Sequence, residues 1–405
     1  MGTKRYIDKT VLEAAQERMS YIFELYEHVS VQFSGGKDST CVLLLALAEA
    51  RKRNRLPLTV RFHDEEALHP PTIDYMRRVE ASPEVAMEWY CLPFEHRNAC
   101  SMQEPYWWCW DPDKKDLWCA DPPKNGIFEH PEFVKGMAIF EFSDAIQAYD
   151  RKQLGKSTVD LLGIRTEESL RRFQIMTSKA HDNWITTDIQ TKSEASGKSY
   201  RVTKAYPIYD WSSLDVWKLV SEWDADYNRS YDLMNRTRMY NRHLAQRVCQ
   251  PFGEEPLRGL WMFAECWPDL WEKMQHRVAG VNAAMRYSNA KMWNGQEKPE
   301  DIDWREFLKR SLTWLIPKEQ AASRKVAKDL VNRHFAKTDE PIPEEDGHII
   351  SGISWKFIAM ICIRGDKKGR KRTAATSKAI ATLAKTDMTL EEAKAKHGKK
   401  KKNTA

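Results

Sequence analysis

The chain has 405 residues, 30% of them charged and 42% hydrophobic, with a formal net charge of +6. That length exceeds what one hydrophobic core serves and gives two domains, or one with large insertions. No run approaches the roughly 18 apolar residues of a membrane span, Met1–Thr10 has no apolar signal region, and eight cysteines with no CxxC pair argue against a disulfide scaffold or a ready redox motif; the expectation is a cytoplasmic protein with reduced thiols and no membrane partner.

In chain order, an amphipathic helix at about 9–26 precedes a strand at 29–33, a glycine turn and a helix over 41–49. Strands follow at 58–62 and 85–92. Regularity fails between 94 and 135, where Pro, Asp, Cys and four tryptophans crowd into an ordered insertion. A helix at 138–153, a fourth strand at 158–164 and an extended stretch at 184–207 come next. Asp210-Trp211-Ser212-Ser213-Leu214-Asp215 then supplies an N-cap for a helix through Trp223. Alternating strands and helices predict an α/β fold with a parallel sheet. From Tyr231 to about residue 363 the pattern is mainly helical, so the expected division is 1–230, 231–363 and a basic, flexible tail at 364–405. That tail holds 14 Lys and Arg against 4 Asp and Glu, while the remainder holds 50 against 54. All the excess positive charge therefore sits in the tail, which suits contact with a nucleic acid, although a run such as Lys399-Lys400-Lys401-Lys402 is equally the pattern of a solvated end.

The run Ser34-Gly35-Gly36-Lys37-Asp38-Ser39-Thr40 follows an apolar strand directly. Two glycines let backbone N–H groups approach an anion, and the next helix turns its positive end to the same place. Lys37 would neutralise phosphate and Asp38 would hold a magnesium ion. The spacing matches neither GxxxxGK[ST] nor GxGxxG, so no kinase-like or dinucleotide reading follows. Asp64 and Glu65 lie past the second strand, where open α/β sheets bind ligands, and are candidate contacts to ribose, metal or a second substrate. Gly163 at the end of the fourth strand allows close backbone approach, and Arg165 just beyond can grip a phosphate bidentately. Glu168 and Arg172, four apart, read equally as a helix-stabilising pair.

These motifs carry a resemblance. Ser34 to Ser39, Gly163-Ile164-Arg165 with Glu168, Ser169 and Arg172, and Tyr206 to Trp217 are similar, in order, to signatures of the ATP pyrophosphatase and PAPS (phosphoadenosine phosphosulfate) reductase superfamily, over about residues 25–230. Beyond it, Arg247-Val248-Cys249-Gln250-Pro251-Phe252-Gly253, Gly259-Leu260-Trp261 and Ser354-Trp355-Lys356 resemble the C-terminal extension of prophage-associated IbrA-type members. The resemblance implies a Rossmann-like sheet of the adenine nucleotide alpha hydrolase type with a helical extension. It implies ATP or PAPS bound at its edge, with magnesium, through Ser34, Gly35, Gly36, Lys37, Asp38, Ser39, Thr40, Asp64, Glu65, Gly163, Arg165, Glu168 and Arg172. Lys37, Asp38 and Arg165 are the expected catalytic residues.

The leading reading is substrate activation by adenylyl transfer with pyrophosphate release. The alternatives are a PAPS reductase or sulfur-transfer enzyme, and a nucleotide-sensing co-regulator acting with a ParB-like DNA-binding partner; homo-oligomerisation is a further expectation for the chain. A reductase needs a reactive cysteine, and the family's Glu-Cys-Gly tail and paired cluster cysteines have no counterpart here, so no iron–sulfur cluster is expected. Glu265-Cys266 runs into Trp267-Pro268 instead of glycine, and Cys362 lies in an apolar helix. Cys249, near Arg242 and Arg247, is the cysteine to test first. Cys91, Cys100, Cys109 and Cys119 with His96 have gaps unlike a zinc site, and Trp107, Trp108, Trp110 and Trp118 read as the core of the insertion rather than as a base-stacking platform.

Overall fold

A computed structural model describes residues 7–168, 172–173, 176, 184–236, 248–253, 256–287, 298–313, 315, 317–364, 374–386 and 388–399. The chain divides into two compact units, 1–286 and 287–405. The boundary expected near 230 thus falls inside the first unit. No helix among the described residues is long and apolar enough to cross a membrane.

The first unit is built on β1 (His28–Gln32), β2 (Leu58–His63), β3 (Val85–Tyr90), β6 (Thr158–Leu162), β7 (Ile185–Lys192) and β8 (Ser199–Ala205), in the order β3-β2-β1-β6-β8-β7. Every pairing is parallel except β7 with β8. The segment 184–207, read from sequence as one extended stretch, is thus a hairpin that gives the sheet an antiparallel edge. Helices α1 (Val11–Leu25), α2 (Lys37–Lys52), α3 (Pro70–Glu80) and α4 (Ile139–Leu154) are the crossover layers. Thr10 and Glu13 cap α1 reciprocally. The helix after β1 begins at Lys37, four residues earlier than periodicity indicates. Polar residues at the start of a helix break the apolar pattern without breaking the helix.

The two sheet faces differ. Val29, Val31 and Phe33 alternate onto one face and are buried, as a covered parallel sheet requires. On the other face Arg61 is fully buried and donates to Glu88 at 2.7 Å, to Ser30 at 3.3 Å and to Asp150 of α4. Ser30 in turn donates to Asp160 at 2.5 Å. One cation faces three carboxylates, Glu88 of β3, Asp160 of β6 and Asp150 of α4, and burying it is tolerable because these partners surround it.

The insertion is ordered, with a hairpin of β4 (Glu95–Arg97) and β5 (Tyr106–Trp108) followed by a 3-10 turn at Pro112–Leu117. Trp110 meets Trp118 edge-on at 5.0 Å, Trp118 stacks with Phe128 at 6.0 Å, and Trp107 meets Phe252 at 5.1 Å. The tryptophans make a local core, as the sequence reading favours.

The second unit is helical, with a core that includes Phe307, Leu308, Leu330, Ile353, Ile358 and Cys362. Cys362 is a packed thiol that donates to the Ser323 carbonyl at 3.4 Å. The stretch read as a flexible tail contains helices at Ala374–Leu383 and Leu390–His397, and Ala375 belongs to that core. Residues 365–373 and 400–405, which carry much of its charge, lie outside the described residues.

Candidate functional site

The carboxyl end of β1 feeds the turn Ser34-Gly35-Gly36. Gly35 has φ of +69°, a conformation open to glycine, and Gly36 is the N-cap of α2. The turn is held from within: Ser39 Oγ donates to the Gly36 carbonyl at 2.9 Å, and the Ser34 amide donates to Ser39 Oγ at 3.3 Å. Thr40 Oγ1 donates to the same Gly36 carbonyl at 3.1 Å. Ser39 and Thr40 are buried and shape the turn, whereas Ser34 is exposed. Lys37 Nζ rests on Asp38 Oδ2 at 2.8 Å.

Strand β6 reaches the same place. A Cβ on Gly163 would stand 2.7 Å from the Ser39 nitrogen and 2.8 Å from the Asp38 carbonyl carbon. The glycine therefore lets the strand end lie directly on the first turn of α2. Arg165, 2% exposed, donates through Nε to Asp38 Oδ1 at 2.6 Å. Its other nitrogens donate to Glu167 at 3.1 Å, to the Trp211 carbonyl at 3.2 Å and to Ser213 Oγ at 3.2 Å. The guanidinium expected to grip phosphate is largely committed to protein acceptors, binding the loop helix to the segment after β8. Glu168 accepts the Arg165 amide at 3.3 Å and pairs with Arg172, as a local helix-type pair does. Ser169 lies outside the described residues.

The acidic run after β2 divides its work. Asp64 accepts from the Trp89 indole at 2.9 Å, the Glu66 amide at 2.8 Å and the Trp110 indole at 3.2 Å; burial lifts its pKa to about 6. Glu65 accepts the Gln250 amide at 2.8 Å, and burial lifts it to about 7. Glu66 adopts φ of +64°, uncommon for a residue with a Cβ. It takes both arms of Arg277 at 2.8 and 3.0 Å, along with the Trp110 and Cys119 amides at 2.6 and 2.9 Å. Between them the acids tie the insertion, the 248–252 segment and Arg277 to the end of β2, with Trp110 bound by both Asp64 and Glu66. Asp64 has no oxygen left unengaged, and Glu65 is the member nearest to an open position.

Sequence reasoning missed the cover over the loop. The Lys37 amide donates to the Tyr231 hydroxyl at 3.0 Å, and Asn228 Nδ2 donates to the Gly35 carbonyl at 3.1 Å. The available signal was Asn228 two residues before Ser230, whose amide it accepts at 2.9 Å, a side-chain turn that opens helix Ser230–Arg236. A Cβ on Gly36 would lie 3.4 Å from Val248. With Val248 on the loop and Gln250 on Glu65, Cys249 falls at the same sheet edge and is partly exposed. Arg242 and Arg247 lie outside the described residues. Cys266 ends helix Leu260–Cys266 with its pKa raised by burial, unlike an activated thiol. Cys91, Cys100, Cys109 and Cys119 are buried, and burial pushes each thiol up.

A magnesium ion at Asp38 does not fit this arrangement. Both carboxylate oxygens are engaged by cations, and among the described residues no three His, Cys, Asp or Glu side chains gather for a metal.

The sequence profile of the phosphoadenosine phosphosulfate reductase domain matches residues 28–237, more than half of the chain, and that of a domain of unknown function matches residues 242–339. The chain is 32% identical over 308 residues to the uncharacterized protein YbdN of Escherichia coli (strain K12), covering 73% of each. Among solved structures, it is similar to PAPS reductase from Candida auris in a phosphate complex (16% identity, 57% of this chain and 94% of that one, TM-score 0.27). It is also similar to FMN adenylyltransferase from Candida glabrata (12% identity, 61% and 65%, TM-score 0.32) and to the U34-tRNA thiolase NcsA from Methanococcus maripaludis with its [4Fe-4S] cluster (10% identity, 74% and 85%, TM-score 0.29). By the profile match and the YbdN identity, the chain belongs to the phosphoadenosine phosphosulfate reductase domain family.

Proposed function

We propose that the first unit binds ATP or PAPS with its phosphates on the Ser34–Thr40 turn and activates a substrate by adenylyl transfer. The observation that carries this reading is the Gly35-Gly36 turn opening onto the first turn of α2, with Lys37 beside it, in a member of a nucleotide-handling family. With ATP bound, a substrate oxygen attacks the α phosphorus. The bond from that phosphorus to the bridging oxygen breaks, and pyrophosphate leaves with the electron pair. Loop amides and Lys37 stabilise the departing charge, while Arg165, fixed by Trp211 and Ser213, positions Asp38 and through it Lys37. The acceptor is a nucleophile that takes up the adenylyl group, and basic segments between 364 and 405 suit an acceptor or partner that is a nucleic acid.

A second reading, PAPS reduction, is favoured by the place of Cys249 between Val248 on the loop and Gln250 on Glu65. The test is incubation with ATP and with PAPS, with and without magnesium and thioredoxin, followed by mass spectrometry of the products. Pyrophosphate from ATP supports the first reading, and thioredoxin-dependent sulfite from PAPS supports the second. Intact nucleotides in every mixture, with no binding by calorimetry, would overturn both.

A further inference from the structure

We propose that Tyr231 is a phosphate-binding residue of the loop, its hydroxyl donating to an oxygen of the anion that lies beside the start of α2. The proposal rests on the reading of that loop as a nucleotide site. Tyr231 is 3% exposed and its ring meets Trp217 edge-on at 5.3 Å. The phenol oxygen accepts the Lys37 amide at 3.0 Å, yet among the described residues no acceptor is placed for its proton. A buried O–H without a partner is costly, and such groups are rare in folded proteins. This one stands at the anion-binding end of a 16-residue helix, where an oxygen with free lone pairs is what the site lacks.

The surroundings make the hydroxyl a good donor. The Lys37 N–H on its lone pair polarises the O–H bond, and burial with Asp38 nearby pushes the phenol pKa up from its ordinary value near 10, so the proton stays in place at neutral pH. Position is set before any ligand arrives. Asn228 Nδ2 donates to the Gly35 carbonyl at 3.1 Å and to Thr72 Oγ1 at 2.9 Å, and its Oδ1 accepts the Ser230 amide. Ser230 Oγ lies 3.2 Å from Thr72 Oγ1. The turn that carries Tyr231 is thereby stitched to the loop from 194 residues away, and little ordering is left to lose on binding.

The experiment titrates wild-type protein and Tyr231→Phe with inorganic pyrophosphate, ATP and adenosine by calorimetry, alongside thermal melts. The Phe variant should bind pyrophosphate and ATP about tenfold or more weakly, as expected for a lost hydrogen bond to an anion, with adenosine unchanged. Replacing Tyr231 by 4-aminophenylalanine, which keeps an N–H donor on the ring, should restore part of the loss. Equal or tighter anion binding by Tyr231→Phe would overturn the assignment and make the hydroxyl a plug that the ligand displaces. If the Phe variant melts too early to titrate, Asn228→Ala decides: weakened pyrophosphate binding supports the proposal and unchanged binding overturns it. Failure of wild-type protein to bind either phosphate ligand would instead overturn the nucleotide reading itself.

Discussion

Strands β1 and β2 are neighbours in the sheet, and each ends in a polar run at the same edge, but the two runs are used in opposite ways. After β2, Asp64, Glu65 and Glu66 send their carboxylates to indoles, amides and one guanidinium, drawing in the insertion, the 248–252 segment and helix Pro268–Arg277. After β1, the polar groups shape a turn around its own backbone and leave at its mouth an exposed serine, a lysine paired with its neighbour Asp38, and the Tyr231 phenol, for whose proton no acceptor is placed among the described residues. Both runs look functional as strings of residues. What separates them is whether each polar atom has a fixed partner, because a group already satisfied by the protein has little left to offer a ligand.

The sharpest way to break this contrast is Glu66→Gln. Removing one side of a fully buried ion pair strands Arg277, and urea denaturation should show a loss of about 3–5 kcal/mol. A loss under about 1 kcal/mol would mean that the acid run is not a structural hub. Lys37→Ala should do the reverse: melting barely moves, while calorimetry shows ATP affinity reduced by about 1.5–3 kcal/mol, the worth of a charged hydrogen bond. Arg165→Lys lies between the two regions in character. An ammonium can replace one or two of four hydrogen bonds, so stability should fall by about 1–2 kcal/mol and nucleotide binding only as far as Asp38 shifts. Normal melting with a large loss of turnover would return Arg165 to direct phosphate contact.

The smallest effect concerns pH. Glu65 is raised in the folded state from 4.5 to about 7, so between those values the folded protein holds more proton than the unfolded chain, and its stability falls as pH rises. Glu65→Gln still accepts the Gln250 amide through its carbonyl oxygen but no longer titrates. Its melts from pH 4.5 to 7 should slope less than those of the wild-type protein, and an identical slope would leave Asp64, raised to about 6, as the source.

Much of the first unit was legible because the alternation of Val29, Val31 and Phe33 and the Gly35-Gly36 punctuation are local signals. The hairpin of β7 and β8 was less so: its outward residues are polar and mixed, as an edge allows, and periodicity gave only an extended stretch. The loop residues were legible by type, yet their partners were not. Arg165 reads from sequence as a free cation past a strand end, and only the folded chain shows Trp211 and Ser213 waiting for it. Tyr231 gave no sequence signal toward the loop, since nothing local links a phenol to an amide so far upstream. The Asp64–Glu66 run illustrates the limit from the other side, because the same carboxylates suit a ligand or Arg277, and sequence does not say which arrives.

The pairing of Glu66 with Arg277 spans 211 residues, and this bears on the order in which the protein is made. At ribosomal speeds of about 5–20 residues per second, roughly 10–40 seconds separate the emergence of the two partners. During that interval the insertion, whose Trp110 and Cys119 amides share the same carboxylate, has an acid at its centre with no countercharge. The partner of Glu66 thus emerges only well past residue 237, where the reductase-domain match ends. A chain terminated there would keep all five strands of the parallel pairings, β3, β2, β1, β6 and β8, but lack Arg277, the cation that Glu66 holds. The unit that nature must synthesise before this fold locks is longer than the family to which it belongs.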